Sequence, residues 1–196
     1  MNAVCVILAA GRSSRMGAQK LLLPFEGTPL LGRAIAAAEG FPALAVVSPP
    51  LAAHVPSHVR TIVNAEPERG MAHSLALADA TILDRQAALV VLLADTPLVD
   101  AALVRRVVAA RADRDVAYPV RDGRGGHPVV FGPRVRAELA AAPEGDSLRR
   151  LRDDPRWSRA EIAVSSNAPF TDVDTPEDFA RLAALVVEPG SAKAKS

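Results

Sequence analysis

Short apolar runs of strand length alternate along this chain with amphipathic runs of helix length, and this alternation limits the possible folds more than any other feature. The clearest case is Ala88–Ala94, seven apolar residues in a row, followed by a helical pattern at Asp100–Arg111. Continuously apolar strands interleaved with helices are typical of a parallel sheet that is covered on both faces. The sequence therefore predicts an α/β protein, a three-layer α/β/α sandwich around a mostly parallel sheet.

The same periodicity assigns an element to most of the chain. The predicted strands are Ala3–Leu8, Ala43–Ser48, Val59–Asn64, Ala88–Ala94, Val116–Val120 and Pro128–Phe131, and two further segments, Glu161–Ser165 and Phe170–Val173, are predicted to be extended. The predicted helices are Thr28–Ala38, Met71–Leu83, Asp100–Arg111, Arg134–Ala141, Ser147–Arg152 and Thr175–Val186. Because no repeat and no long linker separates these elements, we predict a single domain over residues 1–187. The small and polar residues of 188–196 predict a disordered tail.

The charge balance and the apolar runs exclude several classes of protein. The 23 basic residues are matched by 22 acidic ones, so the formal net charge is +1 and a basic excess for binding nucleic acid is missing. No apolar run approaches the roughly 18 residues of a membrane span, and the start of the chain lacks the basic segment of a secretory signal. The single cysteine, Cys5, cannot form an internal disulfide. We therefore expect a cytoplasmic protein with no nucleic-acid or membrane partner.

The segment that follows the first predicted strand combines small residues with cations. Ala9, Ala10 and Gly11 would let the backbone approach a ligand closely. Consecutive backbone N–H groups in a turn, with cations nearby, form an anion site that suits a polyphosphate. The segment is neither a Walker loop nor a G-x-G-x-x-G fingerprint, because Gly11 and Gly17 are separated by five residues. Its polar and cationic side chains are Arg12, Ser13, Ser14, Arg15 and Lys20.

Lys20 differs from the other cations in this part of the chain. It is the one lysine before the tail in a sequence that otherwise uses arginine. A compact ammonium carries its charge at a point, whereas a guanidinium is a planar fork. This usage favours a site at residue 20 that needs a point charge.

Two aspartates are candidate ligands for a hard cation. Asp95 ends the strongest predicted strand, and Asp174 lies in an extended segment two residues after Asp172, so these last two can face one side. Thr175 followed by Pro176 and Asp178 is typical of a helix start, so the acids after residue 174 are expected to serve the helix. Asp95 and Asp174 therefore form a plausible pair for one Mg²⁺, which takes one or two carboxylates together with substrate phosphates.

Three further segments are less specific. Asn64–Ser74 begins after a strand and opens a helix. Gly125–Pro128 reads either as a turn over a substrate or as a hairpin turn, and a lone histidine such as His127 is more commonly structural. The arginine-rich stretch 149–159 is interrupted by Asp153 and Asp154, which favours a solvated helix face over a partner-binding surface.

Taken together, five motifs resemble one family in order and spacing. These are LAAGRSSRMGAQKL, LLADTP, N-x5-G-x3-S, GGHPVVF and DVDTPEDF, and the match runs from the first predicted strand to the last predicted helix, over residues 3–186. They are similar to the molybdopterin nucleotidyltransferases, the cytidylyl- and guanylyl-transferring enzymes of molybdenum cofactor maturation. The resemblance implies a Rossmann-like nucleotidyltransferase fold and Mg²⁺-dependent transfer of CMP from CTP to the terminal phosphate of molybdopterin, with release of pyrophosphate. It also implies a molybdenum hydroxylase as the recipient of the product.

The resemblance further implies a role for each matching residue. The residues expected to bind the nucleotide are Leu8, Ala9, Ala10, Gly11, Arg12, Ser13, Asn64, Gly70 and Ser74. Arg15 and Lys20 are the expected catalytic residues and would hold the triphosphate. Asp95 and Asp174 would bind Mg²⁺. The acceptor is expected to contact Gly126, His127 and Pro128.

Several departures from the family pattern leave alternatives open. Thr96 stands where the family usually has Met, and the segment Gly145–Arg149 lacks a glycine in a region expected to meet the acceptor. Ala9-Ala10-Gly11 and GHPVVF favour CTP over GTP, because guanylyl members typically have Leu-Ala-Gly-Gly at the first motif. The alternatives are guanylyl or other nucleotidyl transfer to molybdopterin or a sugar phosphate, an NAD(P)H-dependent oxidoreductase on the same fold, and a non-catalytic cofactor-binding module.

Overall fold

A computed structural model describes residues 2–11, 19–139 and 148–187, and within these ranges eight strands form one central sheet. The strands of the chain are β1 Ala3–Ala9, β2 Pro24–Phe25, β3 Thr28–Pro29, β4 Ala43–Val47, β5 Arg60–Val63, β6 Ala88–Leu93, β7 Val116–Arg121, β8 Arg124–Gly125, β9 Val129–Phe131 and β10 Arg159–Ala163. The helices are α1 Leu30–Ala37, α2 Gly70–Asp79, α3 Ala101–Arg111, α4 Pro133–Arg136, α5 Leu148–Asp153 and α6 Pro176–Val187. Strands β2 and β3 form a separate two-stranded ribbon.

The central sheet is mixed but mostly parallel, as predicted. Its order is β10-β7-β9-β6-β1-β4-β5, with β8 paired to β7. The pairs β1–β4, β1–β6, β4–β5 and β7–β10 are parallel, whereas β9 is antiparallel to both β6 and β7. From β1 the chain builds outward to β5 on one side and then returns to place β6 on the other. The carboxyl ends of β1 and β6 therefore flank the point where the strand order reverses, which is where ligands bind in open α/β sheets.

Alternate residues of the central strands supply the two faces of the sheet. Cys5, Ile7 and Ala9 belong to an apolar core that includes residues of α1, α3 and α6. Val6, Leu8 and Ala10 belong to a second core that includes residues of α2 and α4 and the start of α5. This alternation follows from the period of two in a strand, and it confirms the predicted three layers.

Several predicted boundaries change in the structure. Helix α1 begins at Leu30 because Thr28 and Pro29 pair with β2, and α2 ends at Asp79, four residues before the predicted end. The predicted extended segment Phe170–Val173 does not join a sheet. Phe170 ends the short 3₁₀ helix Ala168–Phe170, and Thr171 after it is extended.

Some predictions fall outside the described residues. They are the end of the helix at 134–141, the residue Ser147 and the tail at 188–196. Helix α4 is described as Pro133–Arg136 and α5 as Leu148–Asp153. In the described ranges, no helix is both long enough and apolar enough to cross a membrane.

Candidate active site

The first part of the site is the end of β1. Leu8, Ala9 and Ala10 are buried, whereas Gly11 is exposed and a Cβ built on it would meet no atom within 4 Å. The backbone at Gly11 is therefore open to an incoming ligand. Arg12, Ser13 and Arg15 lie outside the described residues, so their expected contacts with the nucleotide stay predictions.

Lys20 lies at the centre of the site. It begins the 3₁₀ helix Lys20–Leu22, and its side chain is only 10% exposed. The Lys20 Nζ donates hydrogen bonds to Asp95 Oδ2 at 2.9 Å, to Asp174 Oδ1 at 2.8 Å and to the Val173 carbonyl oxygen at 2.8 Å. One ammonium thus joins both predicted metal ligands, although Asp174 is 154 residues away in sequence.

The charges around Lys20 keep it protonated. Burial by itself lowers the pKa of the Lys20 ammonium, but the nearby negative charge of Asp95 and hydrogen bonds to Asp174 and Asp95 outweigh burial and raise the pKa above its ordinary value. One ammonium thus faces two carboxylates in this cluster. The cluster therefore retains negative charge that can attract a further cation.

The two carboxylates fit a magnesium ion. The side chain of Asp95 is 26% exposed and that of Asp174 is 47% exposed, and among the described residues Lys20 occupies one oxygen of each. No group of three or more His, Cys, Asp or Glu residues that could hold a metal occurs in the described ranges. Two carboxylates with an open side match Mg²⁺, because phosphate oxygens of a substrate usually complete its coordination shell.

The start of α6 shows that Asp174 and Asp178, two acids of the DVDTPEDF motif, have different roles. The Asp178 Oδ2 accepts hydrogen bonds from Thr175 N at 2.8 Å and from Thr175 Oγ1 at 2.9 Å, and Thr175 Oγ1 accepts one from Asp178 N at 3.2 Å. These bonds, with the Thr175 side chain foremost, lower the pKa of Asp178. The predicted helix start is confirmed, and Asp178 serves the helix while Asp174 faces Lys20.

The loop before α2 and the start of that helix bring together Asn64, Gly70 and Ser74. The buried Asn64 Nδ2 donates to Ser74 Oγ at 2.9 Å, and Asn64 Oδ1 accepts from Glu66 N at 2.8 Å. Gly70 has a φ of 92°, which favours glycine. These contacts hold the loop that leads into α2, and the expected contact of the three residues with the nucleotide stays a prediction.

A cavity of about 490 Å³ opens at the carboxyl end of β6, where its lining includes Thr96, the residue after Asp95. It extends from Leu93 and Thr96, at the end of β6, to Gly125 on β8. Its remaining lining residues are Met71, Arg124, Gly126, His127, Val129, Leu148, Arg149, Arg152, Pro169, Phe170 and Asp172. Three arginines against one aspartate make this cavity suited to an anionic ligand.

The predicted acceptor residues lie at this cavity. They follow the short strand β8, and backbone hydrogen bonds hold Gly126 and His127 in place. β8 pairs with β7, Gly126 N donates to the Pro119 carbonyl at 2.8 Å, and His127 N donates to the Pro169 carbonyl at 3.0 Å. A Cβ on Gly126 would lie 2.5 Å from the Pro169 carbonyl oxygen, so the close approach requires glycine. Gly126 and His127 line the cavity, and Pro128 is buried next to them.

His127 is half-buried at the cavity wall. Its Nδ1 lies 3.5 Å from the Val91 carbonyl oxygen. Burial lowers the pKa of His127 to about 4, because a charged imidazolium loses its hydration there. The ring is therefore neutral at physiological pH and offers a hydrogen-bonding surface to the cavity without adding charge.

One arginine of the cavity corrects an expectation from the sequence. The stretch 149–159 was expected to form a solvated helix face, but Arg152 is buried, 8% exposed, and lines the cavity. Asp153, one of the two aspartates within this stretch, forms an ion pair with Arg152. The available signal was the spacing of Arg152 four residues after Leu148, which places both on one face of a helix.

Comparison with known proteins agrees with this geometry. The MobA-like NTP transferase domain matches residues 5–161 of the chain. A molybdenum cofactor guanylyltransferase of Xanthomonas euvesicatoria pv. vesicatoria is 34% identical over 181 residues, which cover 90% of this chain and 92% of that protein. A molybdenum cofactor cytidylyltransferase of Escherichia coli K12 is 25% identical over 188 residues, which cover 91% and 95%.

A solved structure has the same architecture. The crystal structure of Rv0371c from Mycobacterium tuberculosis H37Rv has a TM-score of 0.83 at 29% identity, covering 93% of this chain and 98% of that one. The same mycobacterial protein in complex with manganese has a TM-score of 0.81 at 27% identity, over 94% and 99%. The similarity therefore extends over nearly the whole of both chains.

Proposed function

This chain belongs to the MobA-like NTP transferase family, and we propose that it transfers a nucleotidyl group from a nucleoside triphosphate to the terminal phosphate of molybdopterin. The observation that carries the proposal is the cluster of Lys20, Asp95 and Asp174 at the reversal point of the sheet. The arginine-lined cavity next to it supplies a second binding site, as a reaction between two substrates requires. A molybdenum hydroxylase would receive the product.

The reaction is an in-line displacement at phosphorus. An oxygen of the molybdopterin phosphate attacks the α-phosphorus of the triphosphate and forms a new P–O bond, while the bond to the departing pyrophosphate breaks and its electron pair leaves with that group. Near neutral pH a phosphate monoester is already ionised, so no general base is required. Positioning and charge stabilisation by the protein then account for most of the acceleration.

Lys20 and the two aspartates would divide the electrostatic work. Asp95 and Asp174 would hold Mg²⁺, whose charge would stabilise the oxygens around the α-phosphorus. Lys20 would orient both carboxylates and place a positive charge beside the same oxygens. The manganese complex of Rv0371c supports a divalent metal in this fold.

For the donor, we propose CTP. This rests on Ala9-Ala10-Gly11 and on the GHPVVF segment, which resemble the cytidylyl-transferring members. GTP is the second candidate, because the Xanthomonas relative, named a guanylyltransferase, is 34% identical whereas the cytidylyltransferase is 25% identical.

The test is release of pyrophosphate with each of CTP, GTP, ATP and UTP in the presence of Mg²⁺ and molybdopterin. We expect release with CTP, loss of release on adding EDTA, and loss in Asp174→Asn. Release of pyrophosphate with GTP alone would show that GTP, and not CTP, is the donor. Absence of release with all four triphosphates would contradict the proposed function, and tight binding of NAD(P)H in a parallel titration would then support the oxidoreductase alternative.

A further inference from the structure

The Arg152 side chain is held rigidly at one end of the cavity. Its Nε and Nη2 donate to Asp153 Oδ1 at 2.6 Å and to Asp153 Oδ2 at 2.8 Å, which is a two-point pair. Its guanidinium lies over the Tyr118 ring, with 4.8 Å between Cζ and the ring centroid. The Tyr118 hydroxyl is itself fixed by a hydrogen bond of 2.8 Å to Glu161 Oε1. The guanidinium is thus preorganised before any ligand arrives.

The remaining edge of this guanidinium is directed away from Asp153. The pair with Asp153 uses Nε and Nη2, and no hydrogen bond of Nη1 occurs within the described ranges. A Cβ on Gly125 would lie 2.5 Å from Nη1 and 2.7 Å from Cζ, so the absence of a side chain on Gly125 makes room for this edge. Both Gly125 and Arg152 line the cavity. Nη1 therefore lies beside Gly125 at the cavity wall.

Arg152 lies on the β7 side of the cavity, whereas Leu93 and Thr96 form its β6 side. Tyr118 is on β7, and β9 separates β7 from β6, whose end carries Asp95. Two strand spacings correspond to about 10 Å. If the phosphate of the acceptor reacts next to Asp95, its other end reaches the neighbourhood of Arg152. The apolar side chains of Leu93, Val129, Leu148 and Phe170 line the same cavity, together with Arg124 and Arg149.

We propose that Arg152 determines acceptor specificity, donating a hydrogen bond from Nη1 to the heterocycle of the acceptor at the end remote from the reacting phosphate. This inference rests on the proposed function. A rigid guanidinium beside apolar side chains suits a flat ring system that carries a carbonyl oxygen or a ring nitrogen. Because this contact is made at a distance from phosphorus, it contributes to binding of the acceptor and changes little in the transition state.

Two variants alter this contact in different ways. Arg152→Lys keeps the charge but removes the planar fork, and Gly125→Ala keeps the arginine but displaces Nη1 by steric overlap. We expect both variants to raise the KM for molybdopterin by about tenfold or more, since a hydrogen bond from a charged group is lost. The KM for the nucleoside triphosphate should stay within about twofold of the wild-type value, because the triphosphate does not reach this end.

Arg136→Lys is the matched control. Arg136 is also buried and also pairs with an aspartate, through Nε to Asp79 Oδ1 at 2.7 Å, but it does not line the cavity. This variant should lower the melting temperature and leave both KM values unchanged. If Arg152 has only a structural role, Arg152→Lys should likewise lower the melting temperature and leave both KM values unchanged.

The outcomes separate the two proposals. If the wild-type protein does not release pyrophosphate with molybdopterin, both the proposed function and the role of Arg152 are overturned. If the wild type is active but Arg152→Lys and Gly125→Ala, both folded by circular dichroism, retain the wild-type KM for molybdopterin, only the role of Arg152 is overturned. Should Arg152→Lys not fold, Gly125→Ala decides the question alone.

Discussion

At the scale of single residues, the position of Lys20 carries most of the proposed chemistry. Its ammonium makes three hydrogen bonds, two of them to carboxylates on separate segments of the chain. A guanidinium is a wider, planar group and cannot replace a compact charge among three oxygens. The preference for lysine at this one place in an arginine-rich chain is therefore explained by the geometry around Nζ.

We expect Lys20→Ala to reduce kcat by at least about a hundredfold, because a charge beside the reacting phosphate is lost. The melting temperature should change by no more than about 5 °C, since Asp95 and Asp174 are both partly exposed and water can hydrate them. Turnover and thermal unfolding measured on the same preparation check this expectation. A folded Lys20→Ala protein that keeps the wild-type kcat would show that Lys20 has no role in the mechanism.

His127 leads to a prediction about pH. Its pKa is about 4 in the folded protein, below the ordinary value near 6.5, so the unfolded chain binds the proton more readily. The stability that His127 contributes is therefore complete above pH 6.5 and is lost as the pH falls towards 4. Urea unfolding at a series of pH values should show this slope in the wild type and a shallower one in His127→Gln. Equal slopes in the two proteins would contradict the low pKa.

At the scale of elements, the start of α6 shows two neighbouring acids with different tasks. Asp174 faces Lys20, while Asp178, one helical turn later, bonds to the backbone and side chain of Thr175. The sequence predicted this division because Thr175, Pro176 and Asp178 form the pattern of a helix start. The same pattern placed Asp174 before the helix but could not identify Lys20 as its partner.

Two isosteric changes test this division. Asp174→Asn should weaken binding of Mn²⁺, followed by electron paramagnetic resonance of the free ion, by about tenfold, because one charged ligand is lost. Its melting temperature should stay close to that of the wild type. Asp178→Asn should do the reverse, with unchanged Mn²⁺ binding and a lower melting temperature, since the hydrogen bonds at the helix start are weakened.

The lowered pKa of Asp178 adds a pH control to this pair. Its contribution to stability is present above the ordinary carboxyl pKa and is lost as the pH falls through the depressed value. The melting temperature of Asp178→Asn should therefore approach that of the wild type in acid. A constant difference at all pH values would show that the carboxylate does not stabilise the helix start.

At the scale of the whole molecule, the predicted single domain over residues 1–187 has a direct test. Trp157 is the one tryptophan of the sequence and lies just before β10, at one edge of the sheet, whereas far-ultraviolet circular dichroism reports on all elements. If the chain is one cooperative unit, the two signals should follow the same urea transition. Separate midpoints would indicate that the β10 side unfolds apart from the rest.

The sequence by itself determined the alternation of strands and helices, because the two elements have different periods of apolar residues that can be read locally. It also determined the helix start at Thr175, and it predicts Asp95 and Asp174 as the ligands of a divalent metal. Only the tertiary structure decided that Lys20 bonds to both, that β9 runs antiparallel between β6 and β7, and that Arg152 is buried at a cavity. These are contacts between segments far apart in the chain, and their geometry follows from the order of strands in the sheet, which local patterns do not specify.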